Sequence, residues 1–335
     1  MAKVITFGET MMRLNPQGHL RLTQANLFEA TYAGSEANVA VSLANYGDES
    51  AFVTKVPAHE IGQNAVNELR RYGVDISLIL RGGPRLGVYF VERGASQRGG
   101  KVIYDRAGSS IALAKAEEFD WPRIFEGADW FHFSGITPAL GGDLPKACME
   151  AAQTARKLGL TVSCDLNYRS KLWTREQAGR AMRELMPFVD VCVIAEDEAK
   201  DVFGIVPEAG LTGRDAVASV ARQVRDAFGL KIVGIAALNE TSSSDNVFSG
   251  LVCDGTAFCF APDYAVHVVD RVGCGDSFSA GLIHALRKGW DLQKTADFAT
   301  AAGCLKQSVE FDFNQVTEAE VLALASHPGA GGMQR

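Results

Sequence analysis

The stretch most able to do chemistry is Asp270-Arg-Val-Gly-Cys-Gly-Asp-Ser-Phe-Ser-Ala-Gly281. Gly273 and Gly275 permit a tight bend, and a helix beginning near Asp276 leaves its first amide N–H groups without intrahelical acceptors. Those donors and the helix dipole make an anion site, suited to the charge that builds on a phosphoryl group in transfer. Asp276, at its edge, is placed to accept a proton from an attacking hydroxyl. The same string also reads as a loop glycine followed by a helix N-cap, because GxGD alone is weakly specific. A second element is Ala33-Gly-Ser-Glu-Ala-Asn-Val-Ala-Val-Ser-Leu-Ala-Asn-Tyr-Gly47. Gly34 lets a ligand approach the backbone, and Asn38 offers a donor and an acceptor to sugar hydroxyls. Taken alone, a helix-start glycine and a capping asparagine explain it as well.

The elements that must hold these residues follow from periodicity. Short apolar runs read as strands at Val4–Phe7, Ala51–Val56, Trp130–Ser134, Thr161–Cys164, Val191–Ile194 and Lys231–Ala236. Between several of them lie helical stretches, Ala37–Tyr46, Gly62–Tyr72, Leu144–Leu158 and Asp215–Phe228, each followed by glycine as a helix end prefers. This alternation predicts an α/β fold with a mainly parallel sheet covered by helices on both faces. Leu14–Tyr32 and Pro84–Gly108 break the rhythm with alternating, helix-free patterns and predict a small β-sheet inserted as a lid. A further β-rich patch covers Val247–Val269. Helices follow at Asp276–Lys288, Leu292–Lys306 and Thr317–Ala325, the last opened by a Thr317/Glu320 capping box. Residues 328–335 read as a frayed tail.

The 335 residues are 47% hydrophobic and 22% charged, values that exclude disorder, collagen and coiled coil. With 33 basic against 40 acidic residues the net charge is −7, so nothing recommends nucleic acid or an anionic membrane as a partner. No apolar run reaches the ~18 residues of a spanning helix, and the amino terminus reads as a strand, not a signal peptide. The cytoplasm is the expected location. Seven scattered cysteines form no CxxC pair and six histidines no HExxH, so a protein-built zinc site is not expected. A P-loop and a GxGxxG dinucleotide fingerprint are also missing.

Together and in this order, the two glycine-containing elements resemble the signatures of the PfkB (ribokinase-like) family of carbohydrate kinases, over nearly the whole chain from Val4 to about Ala325. The resemblance implies a ribokinase-like three-layer α/β/α sandwich in one domain, with about nine sheet strands and a β-sheet lid. It implies transfer of the ATP γ-phosphate to a primary hydroxyl with a divalent cation, Mg2+. It leaves open a monovalent cation and a homo-oligomer joined through the lid. Gly18-His-Leu-Arg21, Gly87-Val-Tyr89, Tyr104-Asp-Arg-Ala-Gly-Ser109, Ser134-Gly-Ile-Thr-Pro-Ala139 and Asp165-Leu-Asn-Tyr-Arg169 with Leu172-Trp173 look like 2-keto-3-deoxygluconate kinases. A kinase for fructose or 5-dehydro-2-deoxygluconate, and a non-catalytic sugar-acid sensor, are the alternatives. A neutral sugar needs no fixed cation, whereas an aldonate carboxylate can be bound by a guanidinium.

By this resemblance Tyr89, Tyr104 and Arg106 contact the substrate from the lid, and Gly34 and Asn38 are further candidate substrate-binding residues. Arg169 lies between substrate and γ-phosphate, Asn167 near the phosphates, and Gly273, Cys274 and Gly275 supply the anion hole. Glu198 matches the family's glutamate that binds magnesium through water, but Ala195 stands where an asparagine is usual. Ala237-Leu-Asn-Glu-Thr-Ser-Ser-Ser-Asp-Asn246 replaces the usual glycine-rich nucleotide loop. Arg271 and Cys274 stand where small residues are commoner. A thiol at a helix start is expected to favour its thiolate, which predicts that Cys274 is sensitive to alkylation.

Overall fold

The chain is described over residues 2–328 by a computed structural model. The proposed tail at 328–335 therefore lies outside the described residues apart from Pro328. Short apolar runs form the central strands because both faces of the sheet are covered. In β1 (Lys3–Phe7) every residue after Lys3 is buried, and all of β10 (Val191–Ile194) is buried.

The remaining strands of the large sheet are β4 (Ser50–Val56), β5 (Ile79–Arg81), β8 (Ala128–Ser134), β9 (Thr161–Asp165), β11 (Ile232–Glu240), β12 (Asp245–Cys253), β13 (Phe258–Phe260) and β14 (Tyr264–His267). Their order is β13-β12-β11-β10-β9-β8-β1-β4-β5, with β14 also on β12, ten strands in all. From β5 to β11 every pairing is parallel, and β12 to β14 add an antiparallel edge. One face is filled by a cluster that includes Phe7, Phe131, Phe133 and Val162, the other by Val4, Val39, Phe278 and Phe298.

A separate four-stranded sheet has the order β3-β2-β6-β7, with β2 (Met11–Asn15), β3 (Glu29–Ala33), β6 (Gly87–Glu92) and β7 (Lys101–Asp105). It is built from the two segments expected to form a lid, and its first strand begins at Met11, three residues before the predicted boundary.

The predicted helices appear with ends shifted by no more than two residues, and the glycines that close them, among them Gly229 at φ 65°, lie at positive φ. The helix Arg175–Leu185 was not anticipated, although Thr174 and Gln177 form the capping box that marks its start. The strand expected at 231–236 runs on to Glu240 and pairs with β12 as far as Asn246. The segment that stands in place of the family's glycine-rich nucleotide loop is therefore mostly a β-hairpin.

Candidate active site

The site forms where several parallel strands end and helices begin, the usual place for a ligand in an open α/β sheet. Glu9 lies just beyond β1, Ser134 ends β8, Asp165 ends β9 and Asn167 lies two residues past it. The helix Ser35–Asn45 delivers Ser35, Glu36 and Asn38, and the helix Cys274–Arg287 delivers Asp276. The second helix is held deep in the molecule by Phe278, Leu282 and Ile283. At Gly281 an added Cβ would lie 2.9 Å from Ala299 Cα, so the helix Leu292–Lys306 can pack closely against it.

Asp276 is nearly buried, and both carboxylate oxygens accept hydrogen bonds. Ser35 Oγ donates to Oδ1 at 2.6 Å and Asn38 Nδ2 to Oδ2 at 2.6 Å. Burial raises its pKa, while those two donors and the Arg169 charge pull it down. Ser35 also accepts from Asn167 Nδ2 at 3.0 Å. Asn167 takes a positive φ of 42°, and its buried Oδ1 has no partner among the described residues. A buried acceptor without a partner is suited to a ligand's donor or a bound water.

Gly273 precedes the helix at φ 89°. An added Cβ there would sit 2.4 Å from the Asp312 carbonyl, so two independent constraints demand glycine. The Cys274 amide donates to the Arg271 carbonyl at 3.2 Å, and Ser277 N–H returns to Gly273 O at 2.9 Å. Among the described residues no carbonyl accepts the amides of Gly275 or Asp276. The free donors are thus narrower than the expected Gly273–Asp276 set, because Cys274 N–H closes the turn. Burial pushes the Cys274 thiol up to about 11, against the expected thiolate: desolvation outweighs the helix dipole.

Gly34, Asn38, Tyr89, Tyr104, Arg106, Arg169, Gly273 and Asp276 line one small cavity of about 100 Å³, with Glu9, Ser35, Glu36 and Asp312. Through Tyr104, Arg106 and Arg169 it opens into a cleft of about 1080 Å³ bounded by β7 and the 168–172 loop. Tyr89 and Tyr104 stack with centroids 5.9 Å apart, and the Arg106 guanidinium lies over Tyr104. Tyr89 donates its hydroxyl to Asp312 Oδ2 at 2.8 Å, and burial raises its pKa further.

Arg106 does not stand free. Its guanidinium is ion-paired with Glu9, Nε donating at 2.7 Å, and Ser109 Oγ donates to the other Glu9 oxygen at 2.6 Å. Arg169 is exposed at the mouth, and among the described residues its guanidinium donates only to the Tyr168 carbonyl, at 3.2 Å. Asn38, read as a partner for sugar hydroxyls, has its amide engaged by Asp276 and by Gly34 N–H at 3.4 Å. Gly34 is required by a close approach of the chain itself, since an added Cβ would meet the Glu9 carbonyl at 1.8 Å.

Behind Asp276 lie Asp165 and Glu198. The Asp165 pKa is raised by burial and then by the charges of Glu198 and Asp276. Each Glu198 oxygen accepts a backbone N–H, from Tyr168 at 2.7 Å and from Ala195 at 3.0 Å. Ala195 thus contributes its main chain to the position where the family's asparagine is expected. Among the described residues no group of three or more His, Cys, Asp or Glu side chains is arranged to hold a metal ion.

Sequence reasoning missed Glu9, Ser35, Asp165, Asp312 and Arg13. Ser35 and Asp165 lie inside motifs already singled out, whereas Asp312 sits in a loop with no local signal. Arg13 is fully buried, its guanidinium 2.5 Å from both Asp270 and Asp312. It ties the lid to the turn before Gly273.

Residues 1–310 match the pfkB family carbohydrate kinases. The chain is 34% identical over 320 residues to a 2-dehydro-3-deoxygalactonokinase of Haloferax volcanii, covering 96% of this chain and 95% of the relative. It is 26% identical to a 2-dehydro-3-deoxygluconokinase of Bacillus subtilis, covering 95% and 94%. The crystal structure of a 2-dehydro-3-deoxygluconokinase from Thermotoga maritima superposes with a TM-score of 0.95 at 47% identity, over 97% of this chain and 98% of that one. With this fold and both signature motifs in one cleft, the chain belongs to the pfkB family of carbohydrate kinases.

Proposed function

We propose that the chain transfers the γ-phosphate of ATP to the terminal primary hydroxyl of a 2-keto-3-deoxy sugar acid. The observation that carries this is the Asp276 carboxylate, oriented by Ser35 and Asn38 beside two amides that no carbonyl accepts among the described residues, in a cleft that also holds Arg106 and Arg169. The names of the relatives point to the same substrate class.

Asp276 takes the proton of the attacking hydroxyl as its oxygen bonds to the γ-phosphorus. The bond from phosphorus to the β–γ bridging oxygen breaks, and ADP leaves with that electron pair. The Gly275 and Asp276 amides and the Arg169 guanidinium face the charge that spreads over the phosphoryl oxygens. Closure of the lid over the cavity keeps out the water that would compete with the sugar hydroxyl.

Among the described residues no carboxylate is in ion-pair contact with Arg169, so its charge is available where substrate and γ-phosphate meet. Arg106, neutralised by Glu9, contributes directed N–H donors more than net charge. Mg2+, when bound, would neutralise charge on the phosphates. Asp165 and Glu198, two carboxyl groups crowded near Asp276, are the residues that would hold it, through water.

A coupled ADP assay against 2-keto-3-deoxygluconate, 2-keto-3-deoxygalactonate, 5-dehydro-2-deoxygluconate, fructose and ribose tests the assignment. The highest kcat/KM is expected for one of the first two. Preference for fructose overturns the sugar-acid reading, and no turnover at all favours a binding role.

A further inference from the structure

Lys306 closes the helix Leu292–Lys306, and its side chain is fully buried, which is rare for lysine. Its Nζ donates to the main-chain carbonyls of Asp270 at 3.0 Å and Val309 at 3.1 Å. The first carbonyl opens the turn that leads through Gly273 to the free amides. The second lies in the loop that carries Asp312, whose own carbonyl packs against Gly273. Lys306 Cε lies 3.4 Å from the point where a side chain at Gly273 would begin, so the ammonium stem runs directly beneath the phosphate turn.

Two carbonyl oxygens from separate loops converging on one buried point form the kind of oxygen cage that holds a cation. Here the cation is covalently tethered. Asp270 and Asp312 face it with favourable charge and Arg13 with unfavourable charge, while burial disfavours the charged amine.

We propose that the Lys306 ammonium is the resident cation of the phosphoryl site, a positioning residue that holds the Asp270–Gly273 turn in shape, so that this kinase needs no dissociable monovalent cation. The inference rests on the phosphotransfer reading and is independent of which sugar is used.

Turnover of the full-length protein is measured in Tris, sodium, potassium and ammonium chlorides at equal ionic strength. The wild-type kcat is expected to vary by less than about 2-fold across the series. A rise of about 5-fold or more with potassium overturns the proposal.

Lys306→Met leaves the cage without its charge. Its kcat is expected to fall about 30-fold or more with sugar KM within about 3-fold, and potassium or ammonium is expected to restore about 5-fold or more where tetramethylammonium does not. A Lys306→Met variant with wild-type kcat, or a folded one that no small cation improves, overturns the proposal. Should that variant not fold, the wild-type salt series still decides. Should no sugar turn over, the substrate assignment fails separately. Affinity for the ATP analogue AMP-PNP, read by calorimetry in the same salts, then decides the cation question: equal affinity in every salt supports the tethered ammonium, and tighter binding in potassium rejects it.

Discussion

Asn38 Nδ2 lies 2.6 Å from Asp276 Oδ2, although 238 residues separate the two in sequence. With Ser35 on the other oxygen, the amino-terminal helix orients the carboxylate that the carboxy-terminal helix presents. The two signatures are thus one site, and the rotamer of the proposed base depends on both.

Replacing that base is the most direct test. Asp276→Asn keeps the size of the side chain and an acceptor for one of its two donors. It is expected to lower kcat by about 100-fold or more, with a smaller change in sugar KM. Near wild-type turnover in steady-state assays would remove Asp276 from its role.

The pH profile carries the same assignment. Burial holds the Asp276 pKa above the ordinary carboxylate value, and the base must be deprotonated to work. As pH falls, kcat is therefore expected to drop at a higher pH than for an exposed aspartate. Ser35→Ala removes a donor that favours the charged form, so its acid limb should move to still higher pH. A limb that stays in place or moves down contradicts this geometry.

Asp165 links the site to stability. Its pKa is raised in the folded state, so the native protein binds a proton more tightly than the unfolded chain. The folded state is then penalised as pH rises above the unfolded carboxylate value, and below that value there is no penalty. Asp165→Asn is expected to raise Tm by about 3–6 °C near pH 8 and by far less near pH 4, and to lower activity. Calorimetric scans at the two pH values check it, and an equal gain at both would refute the electrostatic cause.

Specificity is expected to reside in the arginines. Arg106→Ala leaves Glu9 buried without its partner, so it is best made together with Glu9→Gln. The double variant should raise KM for a 2-keto-3-deoxy sugar acid about 10-fold or more, and for a neutral ketose much less. Equal losses on both substrates would show that the pair shapes the lid without reading the carboxylate.

The Arg13 anchor is expected to be structural. Arg13→Met leaves the buried Asp270 and Asp312 carboxylates without their shared guanidinium, and breaking such a buried pair costs about 3–5 kcal/mol. Thermal unfolding is expected to show a Tm lower by about 4–7 °C. An unchanged Tm would show that the two carboxylates find other partners.

Local sequence determined the parallel-sheet architecture, the helix ends and the lid strands, because apolar periodicity, closing glycines and capping boxes act within a few residues. It also marked Asp276, Asn167 and Arg169 through motifs contiguous in the chain. Only the tertiary structure decided their partners: Glu9 on Arg106, Asp276 on Asn38, Asp312 on Tyr89 and Arg13, and Lys306 beneath the phosphate turn. Those contacts join residues far apart in sequence. Whether a buried charge is free or neutralised depends on what the fold packs against it, and no spacing along the chain records that.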